Sequence, residues 1–106
     1  MRQRHLFMTL ALAACAASPA FAGDVALGKQ KAISCAACHG QQGLSTVPDA
    51  PNLAGQPELY VATQLKAYRS GARQHEVMTL MAKPLSDADI ENLAAWFGSM
   101  KIQVVQ

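Results

Sequence analysis

The feature that most constrains this chain is the pentapeptide Cys35-Ala36-Ala37-Cys38-His39. Two thiols at this spacing can each add to one vinyl group of the same haem, and the histidine that follows can then bind the iron. A thioredoxin-type redox pair has the same cysteine spacing, but it belongs to a βαβ pattern that this sequence does not show. A structural zinc site needs further ligands, and no other cysteine follows residue 22. The motif therefore predicts one haem c, covalently bound through Cys35 and Cys38, with His39 as an iron ligand.

The first 22 residues have the pattern of an export signal. Basic residues precede an apolar stretch, and Ala20-Phe21-Ala22 matches the small-x-small rule for cleavage. The apolar stretch, residues 6–17, is shorter than the roughly 20 residues that a membrane span needs. We therefore predict a signal peptide over residues 1–22, one small domain over residues 23–106, and a periplasmic location.

Cys15 leaves a second mode of export open. Leu12-Ala13-Ala14-Cys15 resembles the lipobox of bacterial lipoproteins, in which the cysteine is acylated and becomes the first residue of the mature protein. In that case residues 16–23 would form a short tether, and the domain would be anchored to the membrane through a lipid. Soluble secretion is the first expectation, and contact with a membrane is expected only if Cys15 is lipidated.

The charges of the chain balance once the signal is removed. The nine lysines and arginines include Arg2 and Arg4, which leaves seven basic residues against seven acidic ones. Such a domain lacks the strongly basic face that nucleic-acid binding requires, so no nucleic-acid partner is predicted. Four cations lie between Lys66 and Lys83 with Glu76 as the single acid. They form either a local docking patch or an ordinary solvated surface.

Three helices and no strand are predicted in the mature chain. The first covers residues 24–34 and is ended by the haem motif, after which residues 40–55, rich in Gly, Pro, Ser and Gln, form a loop. The second covers residues 57–70 between a proline start and a glycine stop, and the third covers residues 86–97 behind a serine cap. The third helix has apolar residues at the amphipathic spacing i, i+3, i+4, i+7, namely Ile90, Leu93, Ala94 and Phe97. The fold class is all-α.

The second axial ligand distinguishes an electron carrier from a haem protein that binds a substrate or a gas. A methionine thioether fills the distal position and raises the reduction potential. Met78 and Met81 lie between the second and third helices, in a segment predicted to be irregular, and Met100 lies near the chain end. His75 is the nitrogen alternative. The residues alone leave these candidates open, because a methionine is otherwise an adaptable core filler.

An ordered series of motifs extends along the mature chain. It consists of Gly28, Cys35-x-x-Cys38-His39-Gly40, Pro51-Asn52-Leu53-Ala54-Gly55-Gln56, Tyr60 with Gln64-Leu65, Gly71-x-Arg73, Met78-x-x-Met81, Pro84-Leu85-Ser86-Asp87 and Ala94-Ala95-Trp96-Phe97. In this order the chain resembles the small bacterial class I monohaem cytochromes c, and each half of the dihaem cytochromes that duplicate this unit. The resemblance implies the class I cytochrome c fold, with three main helices and loops wrapped around one haem.

The resemblance also implies roles for individual residues. Met78, the first methionine of Met-x-x-Met, would be the axial ligand opposite His39. The backbone carbonyl of Pro51 would accept a hydrogen bond from His39 Nδ1–H and so orient the ring. Gly28 would let the first helix cross the last one closely. The remaining residues expected to contact the haem are Leu53, Tyr60, Leu65 and Tyr68.

The function that follows from the resemblance is outer-sphere transfer of single electrons. With both axial positions filled, no substrate needs to bind, so no catalytic residue is predicted and the chain is not expected to be an enzyme. The expected partners are redox proteins: a respiratory complex or dehydrogenase as donor, and a terminal oxidase or reductase as acceptor. Two alternatives remain, a haem subunit docked to a larger oxidoreductase and a haem enzyme or gas sensor with an open distal site.

Overall fold

The computed structural model describes residues 11–16 and 23–106. Residues 11–16 are exposed and have no regular secondary structure. The signal peptide predicted over residues 1–22 thus lies largely outside the described residues, and its cleavage motif, Ala20-Phe21-Ala22, lies wholly outside them. Within the two described ranges, no helix has the length and apolar character needed to cross a membrane.

Residues 23–106 fold into five α-helices and contain no strand, which confirms the all-α class. The helices are α1 (Val25–Lys31), α2 (Ala36–His39), α3 (Glu58–Ser70), α4 (Glu76–Ala82) and α5 (Asp87–Gly98). A 3₁₀ turn, Ala32–Cys35, joins α1 to α2, so that the haem motif is itself helical.

The helices predicted second and third are confirmed as α3 and α5. The chain leaves α3 at Gly71, whose φ of +85° lies in the left-handed region that glycine adopts without strain. α5 begins with a capping box: Ser86 Oγ accepts from the Asp89 N–H at 3.0 Å, and the Asp89 carboxylate accepts from the Ser86 N–H at 3.0 Å. This backbone hydrogen bond from Ser86 lowers the pKa of the Asp89 carboxyl.

Two segments differ from the prediction. The first helix was expected to extend over residues 24–34, but α1 ends at Lys31 and the chain tightens into the 3₁₀ turn, where Ile33 and Ser34 are weaker helix formers. The segment around Met78 and Met81 was expected to be irregular, but it forms α4. Its seven residues are too few to show an amphipathic period, although most of them favour a helix.

The centre of the core is one face of α5. The side chains on this face are at most 2 % exposed, which confirms the predicted amphipathic spacing. One half of this face packs on α3, and the other half packs on the turn that follows α1. The face consists of Ile90, Leu93, Ala94 and Phe97, and its partners are Val61 and Ala62 on α3 and Ala32 after α1.

The crossing of α1 over α5 depends on Gly28. A Cβ at this position would overlap the carbonyl oxygen of Asn92 and lie 2.8 Å from the Cβ of Trp96, so the close crossing implied by the resemblance is present. Two polar contacts fix the same pair of helices. Asn92 Oδ1 accepts from the Asp24 N–H at 2.8 Å, and Lys31 Nζ lies 3.2 Å from the Asp89 carboxylate.

We expect Gly28→Ala to lower the free energy of unfolding by about 1–3 kcal/mol, because α1 must move away from the Asn92 carbonyl. The measurement is chemical denaturation of the holoprotein. Ala26→Ser, which adds one atom at an exposed position of the same helix, serves as the control. Equal unfolding midpoints for the Gly28 variant and the native protein would contradict this account of the crossing.

Candidate haem site

The three residues of the haem motif that carry its chemistry lie on one turn of chain. Cys35 ends the 3₁₀ turn and precedes α2, while Cys38 and His39 are the last residues of α2. Both cysteines are free thiols and partly buried, and His39 is only 6 % exposed. Residues three apart on a helical turn face the same side, so the two thiols can reach one flat ligand.

The imidazole of His39 is oriented by the loop that follows it. Its Nδ1 lies 2.8 Å from the backbone carbonyl oxygen of Pro51, so Nδ1–H donates and Nε2 carries the free lone pair. This hydrogen bond is the one that the resemblance implied. It fixes the tautomer and the ring plane, and it increases the donor strength of Nε2 towards a metal.

The carbonyl of Pro51 is held in place by hydrogen bonds on either side of it in the loop. The Gly43 carbonyl accepts from the N–H groups of Leu53 at 2.7 Å and Ala54 at 3.0 Å. Asn52 Oδ1 accepts from the Ser45 N–H at 2.7 Å. Gly43 has a φ of +71°, and a Cβ there would lie 2.6 Å from the Ala54 nitrogen, so this position requires glycine.

Two hydroxyl residues bind the same loop to the end of α2. The Cys38 carbonyl accepts from the Thr46 N–H at 3.1 Å and from Ser45 Oγ at 3.2 Å. The Ala37 carbonyl accepts from Thr46 Oγ1 at 3.0 Å. These bonds satisfy carbonyls that a helix end leaves without partners. The sequence reasoning missed both residues, and their only signal is a Ser-Thr pair soon after a helix that ends in glycine.

Burial and neighbouring groups act in opposite directions on the pKa of the Cys35 thiol. Burial raises the pKa of this thiol, and this effect outweighs a hydrogen bond with Ser34 and the charge of Lys31, which act in the opposite direction. A raised pKa disfavours the thiolate, which is the nucleophile that forms disulfides.

The other residues predicted to contact the haem lie at different depths. Tyr68 is buried, Leu53 and Leu65 are partly buried and pack against the core cluster of Leu93 and Phe97, and Tyr60 is half exposed. Contact of these four side chains with the haem stays a prediction. Arg73 belongs to the same region: its guanidinium lies over the Tyr68 ring at 4.7 Å and donates to Gln64 Oε1 at 2.7 Å.

The candidate distal ligands lie on or beside α4. Met78 is partly buried in its first turn, and Met81, one turn later, is 37 % exposed. His75, the nitrogen alternative, is the N-cap of α4, and its Nδ1 accepts hydrogen bonds from the backbone of Val77 and Met78. One ring nitrogen of His75 is thus already used within the helix.

The donor set fits a haem. Two free thiols on one helical turn can form two thioether bonds, and a buried imidazole with Nδ1 already hydrogen-bonded offers Nε2 to the iron. An all-α domain with this site defines a c-type cytochrome. The family model for cytochrome c matches residues 25–101, and the chain belongs to the cytochrome c family. It binds one haem c covalently through Cys35 and Cys38.

Similar proteins support the same assignment. Cytochrome c-554(548) of Halomonas halodenitrificans is 45 % identical over 83 residues, which are 76 % of this chain and the whole of that protein. A thiosulfate dehydrogenase electron acceptor of Thiomonas intermedia is 48 % identical over 73 residues, 67 % of this chain and 33 % of that protein. The crystal structure of reduced cytochrome c4 from Pseudomonas stutzeri matches with a TM-score of 0.71 at 43 % identity, covering 76 % of this chain and 47 % of that chain.

The chain therefore spans about half the length of the cytochrome c4 that it matches, which confirms the resemblance to one half of a dihaem protein. The structural match to cytochrome c4 also confirms the class I cytochrome c fold. Membership of this family establishes that the protein transfers electrons through its c-type haem.

We expect Cys35→Ala and Cys38→Ala each to retain the haem by one thioether bond, and the double variant to retain none after denaturation. The mass spectrum of the unfolded protein measures the attached haem directly. Ala37→Ser, at an exposed position within the motif, is the matched control and should carry haem like the native chain. Haem that remains attached to the double variant would refute the assignment of these two sulfurs.

Proposed function

We propose that the protein is a carrier of single electrons outside the cytoplasm, with His39 and Met78 as the axial ligands of its haem. The observation that carries the proposal is the hydrogen bond of 2.8 Å between His39 Nδ1 and the Pro51 carbonyl, because it prepares Nε2 as a strong and fixed ligand. The haem supplies one-electron chemistry between ferric and ferrous iron.

Met78 is the preferred distal ligand for two reasons. It is more buried than Met81, and it occupies the first turn of α4, whose backbone is held by a cap. A thioether is a soft, neutral ligand that raises the potential of a haem. With this ligand in place the distal position is filled, so a carrier is favoured over a haem enzyme or a gas sensor.

The names of the relatives favour redox proteins as partners. One relative is an electron acceptor of thiosulfate dehydrogenase, which supports a dehydrogenase or respiratory complex as donor. A terminal oxidase or reductase is the corresponding acceptor. Encounters of this kind bury small interfaces, below about 1,200 Å². A haem subunit that works only when docked to a larger oxidoreductase is the alternative, and co-purification in a fixed ratio with a dehydrogenase would favour it.

The basic segment between Lys66 and Lys83 is weaker as a docking patch than its sequence suggests. Arg69 pairs with Asp87 at 2.6 Å and donates to the Leu85 carbonyl at 3.0 Å, which ties α3 to the start of α5. Arg73 is engaged by Gln64. Two of the four cations therefore have structural roles, and an ordinary solvated surface is the better interpretation.

The proposed location is the periplasm, reached by means of the signal at residues 1–22. Cys15 is exposed within the described stretch 11–16, but the residues before and after that stretch, 1–10 and 17–22, lie outside the described part of the chain. The mass of the exported protein distinguishes cleavage after Ala22 from acylation of Cys15.

We expect the oxidised holoprotein to show the weak far-red absorption band of a bond between methionine sulfur and ferric iron. Met78→Ala should lose this band, while Met81→Ala, one turn along α4, should keep it. Both spectra are recorded beside that of the native protein. A native protein that lacks the band and binds carbon monoxide readily has an open distal site, and the enzyme or sensor function would then replace the carrier.

We expect the mature protein isolated from the producing cells to begin at Gly23 and to carry no lipid. Intact-mass spectrometry of the exported holoprotein tests this, since a chain that begins at an acylated Cys15 is longer and heavier. Cys15→Ala should leave the mature mass unchanged if cleavage follows Ala22. A loss of membrane association in this variant would establish the lipid-anchored form instead.

A further inference from the structure

We propose that His75 is a positioning residue for the distal ligand, because its side chain holds the helical turn from which Met78 projects. The proposal rests on the proposed function in one respect, that Met78 binds the iron. On this proposal, His75 caps the helix that carries Met78 and is not itself the iron ligand.

The contacts of the imidazole support this role directly. His75 is the residue before α4, with an extended backbone (φ −153°, ψ 138°), and its Nδ1 lies 3.2 Å from both the Val77 and the Met78 nitrogens. Val77 and Met78 are the second and third residues of α4, whose N–H groups have no partner within the helix. An N-cap acceptor normally comes from Ser, Thr, Asp or Asn, and here an imidazole nitrogen takes this place.

A second pair of hydrogen bonds closes the same turn from the other side. The His75 N–H donates to Thr79 Oγ1 at 3.0 Å, and the His75 carbonyl accepts from the Thr79 N–H at 3.0 Å. The first bond is similar to the return bond of a capping box, in which a side chain of the first turn accepts from the N-cap N–H, and the second is the first backbone bond of the helix. The amide of the proposed ligand is therefore bound by the cap itself.

Helix α4 depends on such a cap more than the longer helices do. It has seven residues, and helices of this length are not stable on their own. Among its residues only Ala82, at the far end, is buried, whereas Val77 and Leu80 are 49 % and 68 % exposed. The first turn therefore depends on local hydrogen bonds as well as on the contact of α4 with α3.

The cap has a measurable effect on ligation, because a foreign ligand can bind the iron only when Met78 is displaced. The apparent affinity for that ligand is its intrinsic affinity multiplied by the fraction of molecules in which the Met78 turn is open. A variant that destabilises the closed turn raises this fraction. Its affinity for a foreign ligand rises by the same factor, although the iron and His39 are unchanged.

The experiment is a titration of ferric holoprotein with imidazole in neutral to mildly alkaline buffer, followed by the loss of the far-red band. Losing a helix cap typically shifts the equilibrium between the closed and the open turn by about 2- to 30-fold. The His75→Ala variant should therefore bind imidazole more tightly than the native protein by that factor. His75→Asn restores an acceptor at the cap and should behave like the native protein. Thr79→Val, which removes the hydroxyl that accepts from the His75 N–H, should shift the affinity in the same direction as His75→Ala.

Ser86→Ala is the matched control. It removes the cap of α5 and destabilises the protein, but α5 carries no proposed ligand, so its affinity for imidazole should stay at the native value. If His75→Ala binds imidazole like the native protein, or if it changes no more than Ser86→Ala, the positioning role is refuted while the ligation by Met78 stands. If native protein has no far-red band, the ligation itself fails and the positioning role fails with it.

Discussion

The constraint on which the site depends is the fixed distance between the Pro51 carbonyl and His39 Nδ1, 2.8 Å. The two haem-binding cysteines and His39, the proposed iron ligand, lie on a single turn, and a small rotation of the imidazole would move Nε2 away from the iron that the cysteines hold in place. The loop prevents such a rotation because it is bound at both ends. Gly43 and Asn52 hold the peptide around Pro51, and Ser45 and Thr46 hold the loop to the carbonyls of α2. The histidine is therefore oriented by a backbone carbonyl, and the position of that carbonyl depends on the side chains of Asn52, Ser45 and Thr46.

This loop is itself attached to the core through α5. The Gly55 N–H donates to the Phe97 carbonyl at 2.9 Å, and Leu53 packs on the cluster that contains Leu93 and Phe97. Cys35 packs on the same cluster, so one apolar face contacts both the start of the haem motif and the loop that orients its histidine. Because a domain of this size buries little surface of its own, the same few residues must serve stability and ligand geometry together. Changes in this face of α5 are therefore expected to alter both properties.

The sequence predicts the parts of this arrangement that depend on residue type and spacing. The cysteine pair with its histidine, the amphipathic face of α5 and the glycine stop of α3 all express local chemistry, and each is present. The Gly28 crossing and the Pro51 hydrogen bond came from resemblance, since no local pattern says which carbonyl will meet Nδ1 of His39. Helix α4 was missed because seven residues show no period and because its cap is a histidine. The roles of Ser45 and Thr46 depend on where the loop folds back, which local sequence does not encode.

The two axial sides of the haem are held by different kinds of interaction. His39 is 6 % exposed and is oriented by a loop that is bound to α2 and α5. Met78, the proposed ligand, lies on a short helix whose first turn is maintained by His75 and Thr79. Segments with few buried contacts open at lower free energy than the core does, so the proposed ligation by Met78 predicts that ligand exchange takes place on the methionine side. On this proposal, the proximal side keeps the covalently bound haem in one orientation, and the stability of α4 determines how often the distal position opens.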